Sequence, residues 1–307
     1  MNEKDLNYER SWRALRQHLV LWLDDLQVSL SLLTRISWPW KTNLRANPFK
    51  QRGESVNQFH SDIDDHGDSE DIREPLSPDS EEHFQETSSG RAVRAFPLVG
   101  IIVGLIAGIA FAISSGLGLP FLVSALIAIA VTAVLTGALH EDGLADTADG
   151  FGGGRSKTDK LRLMKDSRIG AYGVLTLLLV IAAKVAAIAD LESAGETICA
   201  LIASSAVSRA AMPALMCWLP SSRSDGLSAT FGKPEKRYVT TGFIIAGMVA
   251  IILLGWTGIV AIIAAGTATF VIASLSKRQI GGQTGDVLGA TQQVSELFFL
   301  LALAAVR

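Results

Sequence analysis

The stretch PFLVSALIAIAVTAVLTGALHEDGLADTADG, Pro120 to Gly150, decides how this chain is built. Its first part, Pro120–Leu139, carries no ionisable side chain and is about as long as a helix needs to be to cross a ~30 Å hydrocarbon layer. At His140 the character changes abruptly, and Glu141, Asp142, Asp146 and Asp149 follow. Packing alone gives no reason to crowd carboxylates at a membrane boundary. Holding a divalent cation over a phosphate-bearing substrate does.

The apolar pattern repeats outward from this stretch. Candidate spans are Phe96–Ser115, Pro120–Leu139, Ile169–Ala189, Thr197–Trp218, Val239–Gly255, Thr257–Leu275 and Val287–Val306. The pattern predicts an all-α fold, a polytopic integral membrane helical bundle of about seven spans. The fifth and sixth are short and meet at Trp256, which suits a hairpin or a tilted pair. Gly100, Gly104 and Gly108 recur at small-xxx-small spacing, which favours close helix packing. Over all 307 residues the chain is 49% hydrophobic, a value diluted by the polar first 90.

Three domains follow from these composition shifts. In residues 1–40, Trp12, Leu15, Leu19, Leu23, Leu26, Leu30 and Leu33 recur at helical spacing, interrupted by Arg10, Arg13, Arg16 and Asp24. An amphipathic interfacial helix is expected there, with Trp38 and Trp40 at headgroup depth. No apolar core of a signal peptide precedes it, so the N-terminus is expected to be retained. In residues 41–89, Asp62, Asp64, Asp65, Asp68, Glu70, Asp71, Glu81 and Glu82 stand among Ser, Pro and Gly, the composition of a disordered acidic insertion. Residues 90–307 form the transmembrane catalytic domain.

Charge orients the bundle. Arg91 and Arg94, the run Arg155–Arg168, the group Arg223, Lys233, Lys236 and Arg237, and the pair Lys277 and Arg278 all fall in alternate connections. The other connections lack Lys and Arg, and one carries Asp190, Glu192 and Glu196. The positive-inside rule places the basic connections in the cytoplasm, and with them the acidic motif. The net charge of -3 and the absence of basic runs interleaved with aromatics exclude a nucleic-acid groove. Cys199 and Cys217, in one apolar stretch, exclude a disulfide framework or a cysteine metal site.

On a helix, Asp142, Asp146 and Asp149 project from one face within about a 60° arc. Three such carboxylates repel one another unless a cation sits among them. Hard oxygen donors suit Mg²⁺, with Mn²⁺ as the alternative. Gly150, Gly152, Gly153 and Gly154 end the helix and suit backbone approach to phosphate. In Lys165-Asp166-Ser167-Arg168, Asp166 is a further metal ligand, and Lys165 and Arg168 are phosphate-binding cations or interfacial anchors. Arg209, inside an apolar span, is placed to reach inward to a substrate phosphate, whereas snorkelling accounts for Lys184. Asp286, opening the last span, is a further carboxylate on the same face. Glu296, within that span, has Arg209 or Lys184 as its partner. His140 offers an acid or base, with a structural or interfacial histidine the favoured reading. Glu141, about 100° off the carboxylate face, can support the site only from behind its ligands.

In order, LQVSLSLLTRI (Leu26–Ile36), FPLVGIIVGL (Phe96–Leu105), His140–Gly150, MKDSRIGAYG (Met164–Gly173), Ser208-Arg209, DGLSATF (Asp225–Phe231) and GGQTGDVLGA (Gly281–Ala290) resemble the cobalamin synthase family of adenosylcobinamide-GDP ribazoletransferases. The resemblance implies a Mg²⁺-dependent enzyme of the bacterial inner membrane, multi-pass, with its active site facing the cytoplasm. The ribose 3′-hydroxyl of α-ribazole, or of its 5′-phosphate, attacks the cobinamide-linked phosphorus of adenosylcobinamide-GDP. GMP leaves, and adenosylcobalamin or its 5′-phosphate forms. The family's acidic block maps onto Asp142, Asp146 and Asp149, and its second block onto Asp166 and Arg168. Other late cobalamin-assembly enzymes are expected partners beside the substrates and the bilayer. The chain departs from the family at Glu141, where an apolar residue is usual, and in the long 41–89 insertion.

Two rivals remain. A CDP-alcohol phosphotransferase also clusters aspartates at a membrane, but its motif needs Arg where this chain continues Asp142-Gly143-Leu144-Ala145-Asp146. A cation transporter needs acids spread across the bilayer, whereas these gather at one edge.

Overall fold

In the computed structural model residues 3–36, 90–191, 193–223 and 232–306 are described. The 41–89 insertion, Trp38, Trp40, Glu192 and the Asp225–Phe231 block lie outside the described residues. The described chain is helical, with one isolated bridge between Ser221 and Gln283. Its helices are α1 (Glu3–Leu33), α2 (Phe96–Gly116), α3 (Phe121–Thr136), α4 (Leu139–Gly153), α5 (Lys157–Leu163), α6 (Ala171–Ala189), α7 (Ala194–Trp218), α8 (Lys236–Ile280) and α9 (Gly285–Ala305).

The helices α2, α6, α7, α8 and α9 are long and apolar enough to cross a membrane, whereas the expected span Pro120–Leu139 is cut short at Gly137 and leaves the 16-residue α3. The 45-residue α8 is two helices joined at Gly255, whose φ of 60° and ψ of -134° leave helical space. Ala246 and Ala250 of the first arm share a buried cluster with Ala261 and Ala265 of the second, so α8 folds back on itself. Gly258 lets the arms meet, since a Cβ there would lie 2.5 Å from the Ala250 carbonyl oxygen. The expected pair of short spans is thus a helical hairpin.

A different break separates α3 from α4. Gly137 and Ala138 are both left-handed, at φ 65° and 57°, and the chain turns by 92° between the two helices. For alanine that conformation is strained by roughly 1–2 kcal/mol. With four carboxylates and a histidine in fifteen residues, α4 is no spanning segment. It runs across the end of the bundle.

Helices α7 and α9 form the centre: the apolar windows of these spans are 83% and 72% buried, against 22% for α8. Helix α2 packs on α7 as the glycine spacing predicts, because a Cβ on Gly100 or Gly104 would run into the carbonyl oxygens of Ser205 or Leu201. Large apolar side chains such as Ile113, Leu126, Val134, Leu178, Ile252 and Phe270 remain exposed on the outer faces. A hydrocarbon environment would cover them.

The interior carries more charge than a snorkelling lysine implies. Lys184 is buried, its Nζ donating to Glu296 Oε2 and Gln293 Oε1, both at 2.6 Å. Ser205 Oγ donates to Glu296 Oε1 at 2.8 Å, and Gln292 Nε2 donates to Ser208 Oγ at 3.1 Å. Arg209 is buried as well, with Nη1 donating to Ser205 O at 3.2 Å. With Gln292 Nε2 also donating to Glu296 Oε2 at 3.3 Å, three hydrogen-bonded partners make Glu296 tolerable far from water. Lys184 cannot snorkel because its ammonium already has two acceptors inside the bundle.

Helix α1 divides into two halves. Trp12, Leu19 and Leu23 are exposed, as an interfacial helix requires. Further along, Leu30 and Leu33 enter the core, and buried Asp25 accepts from Arg91 Nε at 2.8 Å and Arg94 Nε at 2.6 Å. The second half of α1 is therefore a structural part of the bundle.

Candidate active site

The basic connections meet at one end of the bundle. Arg94 approaches the Tyr238 ring, Lys160 donates to Gln279 Oε1, and Arg223 Nη2 donates to Leu161 O at 2.9 Å. Helix α4 lies across this end against the start of α9. A Cβ on Gly143 would stand 2.7 Å from Asp286 O and 3.2 Å from Gly289 Cα. Only glycine permits that approach, and it brings Asp142 to the same site as Asp286.

A cavity of about 210 Å³ opens here. Leu33, Phe96, Met212, Met216 and Leu288 form its apolar wall, and Asp142, Asp286, Arg223 and His140 supply its polar groups. Arg223 Nη1 donates to Asp286 Oδ2 at 3.0 Å, and Thr284 Oγ1 lies 3.3 Å from the same oxygen. His140 is buried, and its Nε2 has no hydrogen-bond partner. Glu141 joins the interior network, its Oε1 accepting from Gln293 Nε2 at 3.0 Å.

Asp146 sits half-buried in this acidic field. Burial pushes its carboxyl up to about 7, with Asp142, Asp286 and Asp149 adding repulsion and Arg223 opposing them. A donor set of hard oxygens carrying more negative charge than its one guanidinium offsets fits a divalent cation. Among the described residues no three acids, histidines or cysteines stand at metal-ligand spacing. The site is a concentration of charge rather than a finished cage.

Several residues singled out from the sequence are placed otherwise. Asp149 lies on the Asp142 and Asp146 helix, but Gly170 N–H donates to its Oδ2 at 2.7 Å and Gly173 N–H to its Oδ1 at 2.9 Å. Both oxygens are engaged in capping α6, whose first N–H groups have no partners of their own and attract negative charge. Asp166 is paired with Arg168, whose Nε and Nη2 donate to its two oxygens at 3.1 and 2.9 Å. That pair holds the Asp166 carboxyl down at about 2 and lies at the surface, with the Arg168 side chain 86% exposed. Lys165 is exposed on the same turn. Arg209 reaches Ser205 O in the interior instead of lining the cavity. The glycine run serves packing: Cβ atoms on Gly150 or Gly152 would meet Met164 or Tyr172 side chains at 2.7 Å.

One cavity residue escaped the sequence reading. Arg223 counted only as a loop charge for orientation, because an arginine in a connection has no periodicity to expose its target. Its place is set by pairing of two distant loops. Ser222 N–H donates to Gln283 O at 2.8 Å and Gln283 N–H to Pro220 O at 2.9 Å.

Residues 73–304 match the family model described as Cobalamin-5-phosphate synthase. Relatives named adenosylcobinamide-GDP ribazoletransferase bear out the match. The Bradyrhizobium diazoefficiens protein is 46% identical over 216 residues, which is 70% of this chain and 83% of that one. The Rhizobium etli protein is 43% identical over 223 residues, 70% of this chain and 86% of that one. A Rhizobium johnstonii protein is 41% identical over 225 residues, again 70% and 86%. No solved structure matches the chain. A family match covering most of the chain, with relatives this similar along most of their own lengths, establishes that the chain belongs to the cobalamin-5-phosphate synthase family.

Proposed function

We propose that this chain is an adenosylcobinamide-GDP ribazoletransferase, catalysing the nucleotide-loop assembly step of cobalamin biosynthesis. The 3′-hydroxyl oxygen of α-ribazole, or of its 5′-phosphate, bonds to the cobinamide-linked phosphorus of adenosylcobinamide-GDP. The bond from that phosphorus to the bridging oxygen breaks, and GMP leaves with that oxygen. The hydroxyl proton is released, and adenosylcobalamin or its 5′-phosphate is the product. The observation that carries this reading is the cavity with an apolar wall ending in Asp142, Asp286 and Arg223, in a chain of this family.

Asp142 and Asp286, with Asp146 beside them, would hold Mg²⁺ or Mn²⁺, which supplies positive charge to the reacting phosphate. Without a cation the Asp146 carboxyl is pushed up to about 7, so cation binding there competes with a proton. The apolar wall excludes water, which would otherwise compete with the ribose hydroxyl for the phosphorus. Asp149 acts on the site indirectly by fixing α4 to the start of α6. The basic connections gathered at this end support a cytoplasmic site in the inner membrane.

The test is release of GMP from adenosylcobinamide-GDP by membranes containing the chain, supplied with Mg²⁺ and α-ribazole. CDP-diacylglycerol with an alcohol serves as the competing pair. GMP release dependent on α-ribazole is expected. Turnover of the CDP-linked pair alone would replace the reading with that of a CDP-alcohol phosphotransferase.

A further inference from the structure

We infer that Arg223 is the residue that receives the substrate's pyrophosphate, exchanging its Asp286 partner for phosphate oxygens. This inference rests on the reading above and assigns the anion-binding group that the reaction requires.

Four observations carry it. Among the described residues lining the cavity, Arg223 is the one lysine or arginine. Arg168 is spent on Asp166 at the surface, and Arg209 points into the bundle. Next, the Arg223 guanidinium is only partly satisfied. Nη1 and Nη2 have Asp286 and Leu161 O, but Nε is buried without any acceptor. Arg209 Nε also lacks an acceptor, but it lies off the cavity; Arg223 carries the orphaned guanidinium N–H of the cavity lining, where an anion can reach it.

The residue is also held in place. Its N–H and carbonyl both engage Ser221 Oγ, at 3.4 and 2.7 Å, and Ser221 bridges to Gln283. Gly282 makes that bridge feasible, since a Cβ there would strike the Pro220 carbonyl oxygen. Finally, the partner it would surrender keeps one hydrogen bond, because Thr284 Oγ1 lies 3.3 Å from the same Asp286 oxygen. A planar fork matches two phosphate oxygens in a way that lysine's point charge does not.

Inorganic pyrophosphate, tested on the full chain in detergent with EDTA, separates this role from simple neutralisation of Asp286. Binding is read by calorimetry. Arg223→Ala should weaken it at least tenfold and Arg223→Lys by less, while Asp286→Asn binds as tightly as the wild type or more tightly. In the double variant Arg223→Ala/Asp286→Asn, binding should stay weak. Recovery in the double variant would show that Arg223 merely balances Asp286, and would overturn the inference. So would unchanged binding in Arg223→Ala, or no binding to the wild type. If Arg223→Ala does not fold, unchanged binding by Arg223→Lys overturns it. The functional reading stands or falls separately, on GMP release by the wild type. Given that activity, Arg223→Lys should raise the KM for adenosylcobinamide-GDP and leave that for unphosphorylated α-ribazole unchanged.

Discussion

Two groups of charge lie close together in this molecule and are treated oppositely. In the interior, Lys184, Glu296, Gln293, Gln292 and Ser205 satisfy one another, Glu296 alone accepts from Lys184, Ser205 and Gln292, and only Arg209 Nε beside them lacks an acceptor. At the end of the bundle, Asp142, Asp146 and Asp286 share one guanidinium, and the Nε of that guanidinium lacks an acceptor. Where ionisable groups are neutralised from within the fold, they hold helices together. Where they are left under-neutralised beside a cavity, something from outside must complete them.

The largest expected effect falls on the under-neutralised group. Asp142→Ala should lower GMP release by about 10²–10³-fold, in line with the loss of a ligand to the cation that stabilises the transferring phosphate. Near-normal turnover would remove the distinction between the two groups. On the satisfied side, Glu296→Leu strands the Lys184 ammonium and should destabilise the bundle by about 3–5 kcal/mol. Replacing both partners, as Lys184→Met with Glu296→Leu, should restore much of that loss in thermal unfolding in detergent. A double variant as unstable as the single one would mean that the pair is not a closed unit.

Asp149 falls between the two groups. Asp149→Ala should cost about 1–2 kcal/mol as a lost helix cap, while retaining far more turnover than Asp142→Ala. Equal loss of turnover in both would return Asp149 to the reacting set. Acidity should sharpen the contrast further. Without a cation, a carboxyl raised to about 7 is ionised above that value and protonated below it. Mg²⁺ binding, read by calorimetry, should therefore weaken as pH drops from 8 to 6, and Asp146→Asn should flatten that dependence. A flat wild-type dependence would exclude Asp146 from the cation's ligands.

The smallest effect belongs to Arg168. Its pairing lowers the Asp166 carboxyl below its ordinary 3.8, so any stabilisation is present above 3.8 and is lost as pH falls through about 2. At pH 7, Arg168→Gln should shift thermal unfolding little, because solvent screens so exposed a pair. A large loss of adenosylcobinamide-GDP affinity in that variant would move the anion site from Arg223 to the surface turn.

Much of this architecture was legible in the order of residues. Runs such as Phe96–Ser115 have one stable answer in a bilayer, a helix, because every backbone N–H and C=O must find its partner within the segment. The junction at His140 marked the end of the bundle where the acids collect, and the spacing of Gly100, Gly104 and Gly108 foretold the approach of α2 to α7. Side-chain assignments fared less evenly. Helical periodicity placed Asp142, Asp146 and Asp149 on one face, but a face is a direction and not a partner. Asp149 went to the amides of Gly170 and Gly173 because α6 happened to begin there.

Sequence by itself thus determined the helices, their apolar lengths, the end at which the acids gather and the family to which they belong. Those properties depend on local composition and on the bilayer's refusal of unpaired backbone. Only the tertiary structure decided which charges remain unanswered. It sent Lys184 to Glu296, turned Asp149 to a helix start and set Arg223 beside Asp286 through a loop pairing some sixty residues apart in the chain. Neutralisation depends on which groups meet within a few ångströms, and chain order does not specify that.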